Sequence, residues 1–439
     1  MSELNGRNFL RALFHVGQRM LRSGVSDQLL EDAITALVDA AKMLTAGSEE
    51  VVLSVARDAF YLDRKMLAHA STEFHSLLKA MDRRKIDSVT ILSGATRRDL
   101  ADLAALVVGK SSDLPAEGTV RVNDRALAVS DLDMRPMSGL RKSYGDSLDA
   151  LRGVRDTRTL QLGEVLSVVD GFIAGSGGDP GSSLIMATVH NHDEITYYHS
   201  VNVCLLSMAL GRFIGLSTDQ TRLLGLSALL HDVGRVVVDE AALQRDGRLS
   251  NEDWAQVRLH PQEGALAIMA ASGPGQELAA AVALEHHVRM DGGGYPSLEG
   301  RHPALFSRLV AIIDAYDAIT SHRPYRPART PNEALRVLLE GAGTIHDPDL
   351  LRLFIEMMGH YPPGSLLRLP GGEVAMVVPG EDEAVAAVVV READGGSPAQ
   401  PRRIVVGAGD VAAQLLPDEA GIDPGSLLEL VEQEEHARR

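Results

Sequence analysis

The chain has 439 residues, a single cysteine and a formal net charge of −17, and it is 45% hydrophobic with only 4% aromatic residues. That length implies about three domains, and an apolar fraction made mostly of Leu, Val and Ala suits helix packing. The acidic balance argues against a nucleic-acid polymer as partner, which would need a basic face, while leaving room for a small phosphate ligand held by local cations. Cys204 alone forms neither an internal disulfide nor a thiolate metal cage, which fits a reducing compartment. No apolar run reaches the ~18 to 20 residues of a membrane helix, and Met1 to Gly24 lacks a signal-peptide core. The expectation is a cytoplasmic protein with no membrane span.

Residues 1–178 read as a sensory, regulatory or dimerising module, helical with a few strands. Phe9, Leu13, Val16 and Met20 share one helical face, and Leu29 to Leu44 forms a second helix that Val51 to Phe60 extends. Tyr61 to Leu67 reads as extended, Thr72 to Arg84 as helix, Ser88 to Leu92 as strand and Asp99 to Val108 as helix. Thr119 to Val129 reads as a strand pair turning at Asn123-Asp124. His69 and His75 stand apart and read as surface or satisfied core residues. The cluster Gly175-Ser176-Gly177-Gly178-Asp179-Pro180-Gly181 breaks the chain and marks the first boundary.

Residues 182–360 carry the chemistry. Ser182 to Thr188 reads as a short helix, His190 and His192 follow it, and Asp193 opens a long helix. On that helix His199, Val203, Leu206, Leu210 and Phe213 fall on one face. Ser217 and Gln220 make a capping box, after which Leu223, Leu226, Leu230 and Val233 lead to His231-Asp232 at the inner end of an apolar stripe within the helix. An ionised carboxylate buried there needs a cation, a hydrogen-bond network or a metal. Ser250 starts a helix with Asp253 in the capping position and Trp254 and Val257 facing inward. This helix ends at His260, where Pro261 interrupts it.

Gln276 to Arg289 reads as a helix bearing Glu285-His286-His287 and closing on Asp291-Gly292-Gly293-Gly294-Tyr295-Pro296. Neighbouring helical residues project about 100° apart, so the two histidines serve two ions, or one ion and the substrate. Leu309 to Asp317 is an apolar helix with Asp314 in its middle; Asp317 fits a surface face more easily. Arg323 and Arg326 follow the helix end, and guanidinium groups suit forked contacts with phosphate.

Five histidines and two aspartates thus occupy inward or helix-end positions between His199 and Asp314. Nitrogen and oxygen donors without sulfur suit Fe, Mn, Zn or Mg. A carboxylate beside a histidine suits a bridge between two ions, and ions ~3.5 to 4 Å apart are a recurrent device for phosphoester hydrolysis.

His231-Asp232-Val233-Gly234-Arg235, His286-His287 and Asp291-Gly292-Gly293-Gly294-Tyr295-Pro296 resemble the motifs of the HD-GYP subclass of HD-domain phosphohydrolases. Asp193 to His199, Gly247-Arg248-Leu249-Ser250, His260-Pro261, Asp314 and Arg323-Pro324-Tyr325-Arg326 follow in the family's order, and the resemblance covers about Asp193 to Pro348. It implies an all-helical catalytic domain that hydrolyses cyclic di-GMP at a centre of two or three metals. It also implies metal ligands at His199, His231, Asp232, His260, His286, His287 and Asp314, and phosphate or guanine contacts from Arg235, Tyr295, Arg323 and Arg326. Within that scheme Asp232 bridges the ions, Asp314 ligates and orients water, and His231 and Arg235 complete the catalytic set. Arg235 stands where the family usually has lysine; Val288 and Met290 replace a common glutamate and aromatic residue. Ile195 stands where trinuclear members carry a glutamate, and Glu194 beside it projects elsewhere, so two ions are expected, Fe or Mn before Mg or Zn.

Two other readings remain open: a cyclic di-GMP-binding or docking protein without turnover, and a hydrolase of another cyclic dinucleotide or nucleotide. Expected partners are the cyclic dinucleotide, a second copy in a homodimer, or a diguanylate cyclase. Leu350 to Met358 reads as the last helix. In residues 361–439 Ser365 to Leu369, Val374 to Val378, Ala384 to Val390 and Arg403 to Val406 read as strands of a small β-rich appendage, ending in an acidic tail from Ser426 to Arg439. The expected fold is therefore mainly α, with an α+β N-terminal module and a β-rich C-terminal appendage.

Overall fold

The computed structural model describes residues 3–21, 27–56, 59–63, 65–111, 118–125, 138–157, 159–175, 180–187, 195–236, 250–298, 300–321, 327–379, 385–396, 398, 402–407, 409–422 and 427. The chain divides into two compact units, Met1–Ser138 and Gly139–Arg439. The division groups the two helices preceding Gly175 with the second unit, whereas the breaker cluster at Gly175 to Gly181 marks the boundary in the sequence.

In the first unit α1 (Glu3–Leu21) and α2 (Asp27–Leu44) precede β1 (Glu50–Ala56), β2 (Ala59–Leu62) and β3 (Lys65–Met66). Then come α3 (Ala68–Glu73), α4 (His75–Arg83), β4 (Ser88–Leu92), α5 (Arg97–Val108) and β5 (Val120–Val122). The strands form one antiparallel sheet in the order β3-β2-β1-β4-β5. Phe9, Leu13 and Val16 of α1, Leu37 of α2 and Leu103 of α5 share a buried core with Val51, Leu53, Val89 and Ile91 of the sheet. The stretch from Val51 expected to prolong α2 is strand instead. Val51, Val52 and Val55 are β-branched and suit a pleated surface, and Gly47, at φ +84°, turns the chain after α2. The strand pair expected over Thr119 to Val129 is, in its described part, the single strand β5, which pairs with β4. Asn123, at φ +57°, accepts from the Asp87 and Ser88 amides and donates to the Lys85 carbonyl, so it ties β5 to β4.

The second unit is helical through α6 (Ser138–Thr157), α7 (Leu162–Gly175), α8 (Pro180–Met186), α9 (Ile195–Phe213), α10 (Thr218–Leu230) and a 3-10 turn, Val233–Val236. It continues through α11 (Asn251–Val257), α12 (His260–Ala270), α13 (Gln276–Glu285), α14 (Leu305–Thr320), α15 (Pro331–Glu340) and α16 (Pro348–Met358). α9 packs on α10 and α14, α13 packs on α10 and α12, and the 3-10 turn packs on α12. An antiparallel sheet follows, built from β6 (Leu366–Arg368), β7 (Val374–Val377), β8 (Val385–Arg391), β9 (Arg402–Val406) and β10 (Ala413–Leu415) in the order β10-β6-β7-β8-β9, and α17 (Pro417–Ala420) ends the series. The mainly α architecture with a β-rich C-terminal appendage is as expected. β10 adds a strand too short to show a pattern in sequence. No helix among the described residues is long and apolar enough to cross a membrane.

Several boundaries near the chemistry differ from expectation. α10 stops at Leu230 with His231 as its C-cap, so the His-Asp pair lies just past the helix end, where a side chain can reach across a gap. α11 ends at Val257, and His260 opens α12 with Pro261 behind it, because proline is tolerated in a first helical turn. α13 ends at Glu285, ahead of both histidines. Trp254 is 46% exposed, whereas Val257 is buried. Asp193, Glu194, His190, His192, Gly247, Arg248, Leu249, Arg323 and Arg326 lie outside the described residues, as does the tail apart from Leu427.

Candidate metal centre

Helix ends assemble the site. His199 points from α9, the end of α10 delivers His231 and Asp232, the start of α12 delivers His260, the end of α13 delivers His286 and His287, and the middle of α14 delivers Asp314. Their donor atoms fall into two groups, Asp232/His260/His286/His287 and His199/His231/Asp314, each with all donors within 4.8 Å of one another. Asp232 faces both. Its Oδ1 lies 3.2 Å from His260 Nε2 and 3.7 Å from His286 Nε2, and its Oδ2 lies 3.6 Å from His231 Nε2 and 3.9 Å from His199 Nε2. Asp314 Oδ1 is 3.0 Å from His199 Nε2, and its Oδ2 is 3.9 Å from His287 Nδ1.

The outer nitrogens of four imidazoles are spoken for. His231 Nδ1 donates to the Ala228 carbonyl at 2.7 Å, His260 Nδ1 to Val257 at 2.6 Å, and His286 Nδ1 to Ala283 at 2.9 Å. His199 Nδ1 donates to Asp317 Oδ2 at 2.7 Å. A proton on Nδ1 leaves a bare lone pair on Nε2, the tautomer a metal ligand requires. His260 Nε2 and His286 Nε2 then face each other at 3.2 Å, lone pair to lone pair. His231 Nε2, His287 Nε2 and both Asp232 oxygens are buried without a hydrogen-bond partner. Buried polar atoms left in that state are costly, and divalent cations between them remove the cost, so the donor set fits a metal centre.

Because His286 and His287 follow the end of α13, the 100° helical separation does not apply. Their rings lie 4.1 Å apart and both reach the same donor group. The glycine turn then folds Tyr295 back: Gly294, at φ +82°, bridges to Val288, and the Tyr295 ring lies 4.7 Å from that of His287. A Cβ on Gly294 would meet the His287 carbonyl oxygen at 2.1 Å. Arg235 Nε approaches Asp232 Oδ2 at 2.8 Å.

Gly234 sets the approach of the 3-10 turn to α12. A Cβ there would lie 2.0 Å from the His260 carbonyl oxygen and 2.5 Å from the Gly264 amide nitrogen. Gly234→Ala is therefore expected to push His260 away from Asp232. The variant should lose about 1 to 3 kcal/mol of stability together with metal affinity. Thermal melts with and without Mn(II) check both effects, and a variant that melts and binds as the parent does would show the contact to be slack.

Asp317 is the residue the sequence reading missed. It is 1% exposed, and besides orienting His199 it accepts from Asn202 Nδ2 at 3.1 Å and Ser321 Oγ at 3.2 Å. Asn202 Oδ1 in turn accepts from the buried Tyr144 hydroxyl at 2.7 Å. The available signal was spacing: Asp317 lies one turn after Asp314, and Asn202 lies one turn after His199. His346, also unremarked in sequence, is buried near enough to feel the charge of Asp314.

Electrostatics follow from burial and these partners. Burial alone would raise the Asp232 carboxyl, but the Arg235 guanidinium and the His231, His260 and His286 imidazoles together outweigh it and hold the group well below the usual carboxylate range. Burial lowers His260 and His287, and it brings His231 down to about 4. At His199 burial also opposes charge, but Asp314 and Asp317 overcome it and lift the imidazole to about 9. In the metal-free protein the two kinds of histidine have opposite signs. The raised His199 contributes stability that is complete below its ordinary value of 6.5 and lost as pH rises through about 9. The depressed His231 contributes stability that is complete above 6.5 and lost as pH falls toward about 4. A ligand must be unprotonated, so metal uptake between those limits should release about one proton from His199. Calorimetry of Mn(II) binding in buffers of different ionisation enthalpy reads that proton directly; zero release at pH 7.5 would contradict the assignment.

Residues 184–350 match the family model described as HD domain. This stretch is an HD domain. Its span contains all seven ligand candidates from His199 to Asp314, and HD phosphohydrolases are metal-dependent. A cyclic di-GMP phosphodiesterase of Pseudomonas aeruginosa is 36% identical over 52% of this chain and 55% of its own length. The cyclic di-GMP phosphodiesterase response regulator RpfG of Xanthomonas campestris is 35% identical over 31% of this chain and 36% of its own. A 3′3′-cGAMP-specific phosphodiesterase of Vibrio cholerae is 31% identical over 36% of each chain. The chain thus spans about half the length of the first relative and about a third of the others. The HD domain agrees with the HD-GYP resemblance drawn from the motifs.

Proposed function

We propose that this chain is a metal-dependent phosphodiesterase of the HD-GYP kind, hydrolysing cyclic di-GMP to linear pGpG and/or GMP in cytoplasmic second-messenger signalling. The observation that carries the reading is the split presentation of Asp232, with one oxygen toward each histidine group. A carboxylate shared by two cations needs that geometry. Relatives named cyclic di-GMP phosphodiesterase support the substrate. His260, His286 and His287 would hold one ion and His199, His231 and Asp314 the other, with Asp232 between them. Fe or Mn suits the set best, with Mg or Zn as alternatives. When bound, such a pair supplies an attacking water of lowered pKa and offsets charge on phosphate oxygens.

The chain's own groups do the rest. Asp314, fixed by His199, accepts a hydrogen bond from the attacking water and aims it along the line of the departing ribose oxygen. Arg235 turns its remaining N–H groups to the phosphate, where charge grows in the transition state. Burial raises the Tyr295 hydroxyl to about 12, so it stays protonated and donates to a substrate oxygen throughout the working pH range. Arg323 and Arg326 belong to the same reading on sequence grounds. Residues 1–178 would serve as the regulatory or dimerising module, with a diguanylate cyclase as a further partner.

A second reading, hydrolysis of another cyclic dinucleotide, is favoured by the relatives named 3′3′-cGAMP-specific phosphodiesterase. Protein loaded anaerobically with Fe(II) or Mn(II) and offered a cyclic-dinucleotide panel separates the two. Turnover of cyclic di-GMP is the expected result; turnover of 3′3′-cGAMP alone would transfer the assignment. Binding of cyclic di-GMP without turnover would reduce the chain to a binding protein.

A further inference from the structure

Trp254 is the single tryptophan of the chain and stands 46% exposed. With Asn251, Ala255 and Arg258 it lines an open recess of about 380 Å³. The spacing i, i+3, i+4, i+7 places all four on one face of α11 and the residue that caps it. Arg258 leads from this recess to the metal centre. Its guanidinium carbon lies 5.6 Å from the centroid of the Tyr295 ring, and that ring lies 4.7 Å from His287 and 6.2 Å from His260. Among the described residues Arg258 has no ion-pair partner, so its donors are available to a ligand. An aromatic platform beside a free guanidinium, next to a centre suited to phosphodiesters, is the pairing that holds unstacked bases in nucleotide-binding proteins.

We infer that this recess seats one nucleobase of the cyclic dinucleotide, with Trp254 stacked on the base and Arg258 donating to the O6 and N7 edge of guanine. The inference rests on the proposed substrate and adds the means by which the site tells a dinucleotide from a simple phosphodiester. Arg258 lies against the Tyr295 ring, which in turn neighbours His287, so base and scissile phosphate are read through one chain of contacts.

The test uses the full chain loaded with Mn(II). The lone tryptophan makes fluorescence specific to this position. Cyclic di-GMP is expected to quench it saturably, and bis(p-nitrophenyl) phosphate, which has no base, is expected to leave it unchanged. Trp254→Ala should raise KM for cyclic di-GMP on the order of tenfold with kcat little altered. It should leave bis(p-nitrophenyl) phosphate turnover at the parent level, and Trp254→Phe should recover most of the loss. An unchanged KM in Trp254→Ala, or an equal loss on both substrates, overturns the base seat while leaving the phosphodiesterase assignment intact. Fluorescence that follows protein concentration rather than nucleotide also overturns it and marks the face as a subunit contact. A parent protein that cleaves bis(p-nitrophenyl) phosphate but neither binds nor cleaves cyclic di-GMP removes the proposed substrate and the base seat together.

Discussion

Asp232→Ala is expected to reduce kcat by at least on the order of 10³-fold and, if the proposed two-ion centre holds, to lower the metal content from two ions per chain to one or none. Asp232 turns one oxygen toward each histidine group and is buried between them, so in the proposed two-ion centre its loss would remove the shared ligand and the negative charge that offsets two cations. The fold should survive. Arg235, the partner left behind, keeps 17% of its side chain exposed and can turn outward. The clear thermal signature is loss of the Mn(II)-dependent rise in melting temperature, since a ligand stabilises only in proportion to its binding. Asp232→Asn keeps the shape and removes the charge, so it separates the two contributions. Turnover at the parent rate in either variant would rule out the bridging role.

Asp317→Asn should weaken metal affinity and activity by about 10- to 100-fold, the usual cost of removing the group that orients a ligating histidine. Asp317 accepts from His199, Asn202 and Ser321 at once. An amide has one accepting oxygen and one donating nitrogen, so at least one of those donors would face another donor. His199 would also lose one of the two carboxylates that lift its pKa to about 9. Fewer protons should therefore be released on metal uptake at pH 7.5, a change that simple destabilisation would not produce. Tyr144→Phe removes only the hydroxyl that supports Asn202 and should give a smaller effect of the same sign. Parent affinity together with parent proton release in Asp317→Asn would exclude Asp317 from the centre.

How much of this was legible in the chain itself varies with the kind of interaction. Apolar periodicity announced α1, α2, α5, α10 and α14, and the capping boxes at Ser217 and Ser250 marked two helix starts to the residue. β4 was bounded correctly by its β-branched run. The misread stretch from Val51 shows the limit of periodicity in short apolar segments, which suit helix or strand equally until a sheet partner decides. For β1 that decision is made by pairing with β4, whose Val89 sits opposite Leu53.

The sequence by itself determined the inventory of the candidate site: nitrogen and oxygen donors, no sulfur, an Asp fixed beside a His, and motifs in one order from His199 to Asp314. Covalent order and side-chain chemistry suffice for that. Only the tertiary structure decided where helices stop, and so that His286 and His287 reach one donor group, that Asp317 is buried behind His199, and that Trp254 faces outward. Helix ends and rotation about a helix axis are set by competition among packing faces from distant segments, and those energies belong to pairs of residues more than a hundred positions apart, as His199 and Asp317 are.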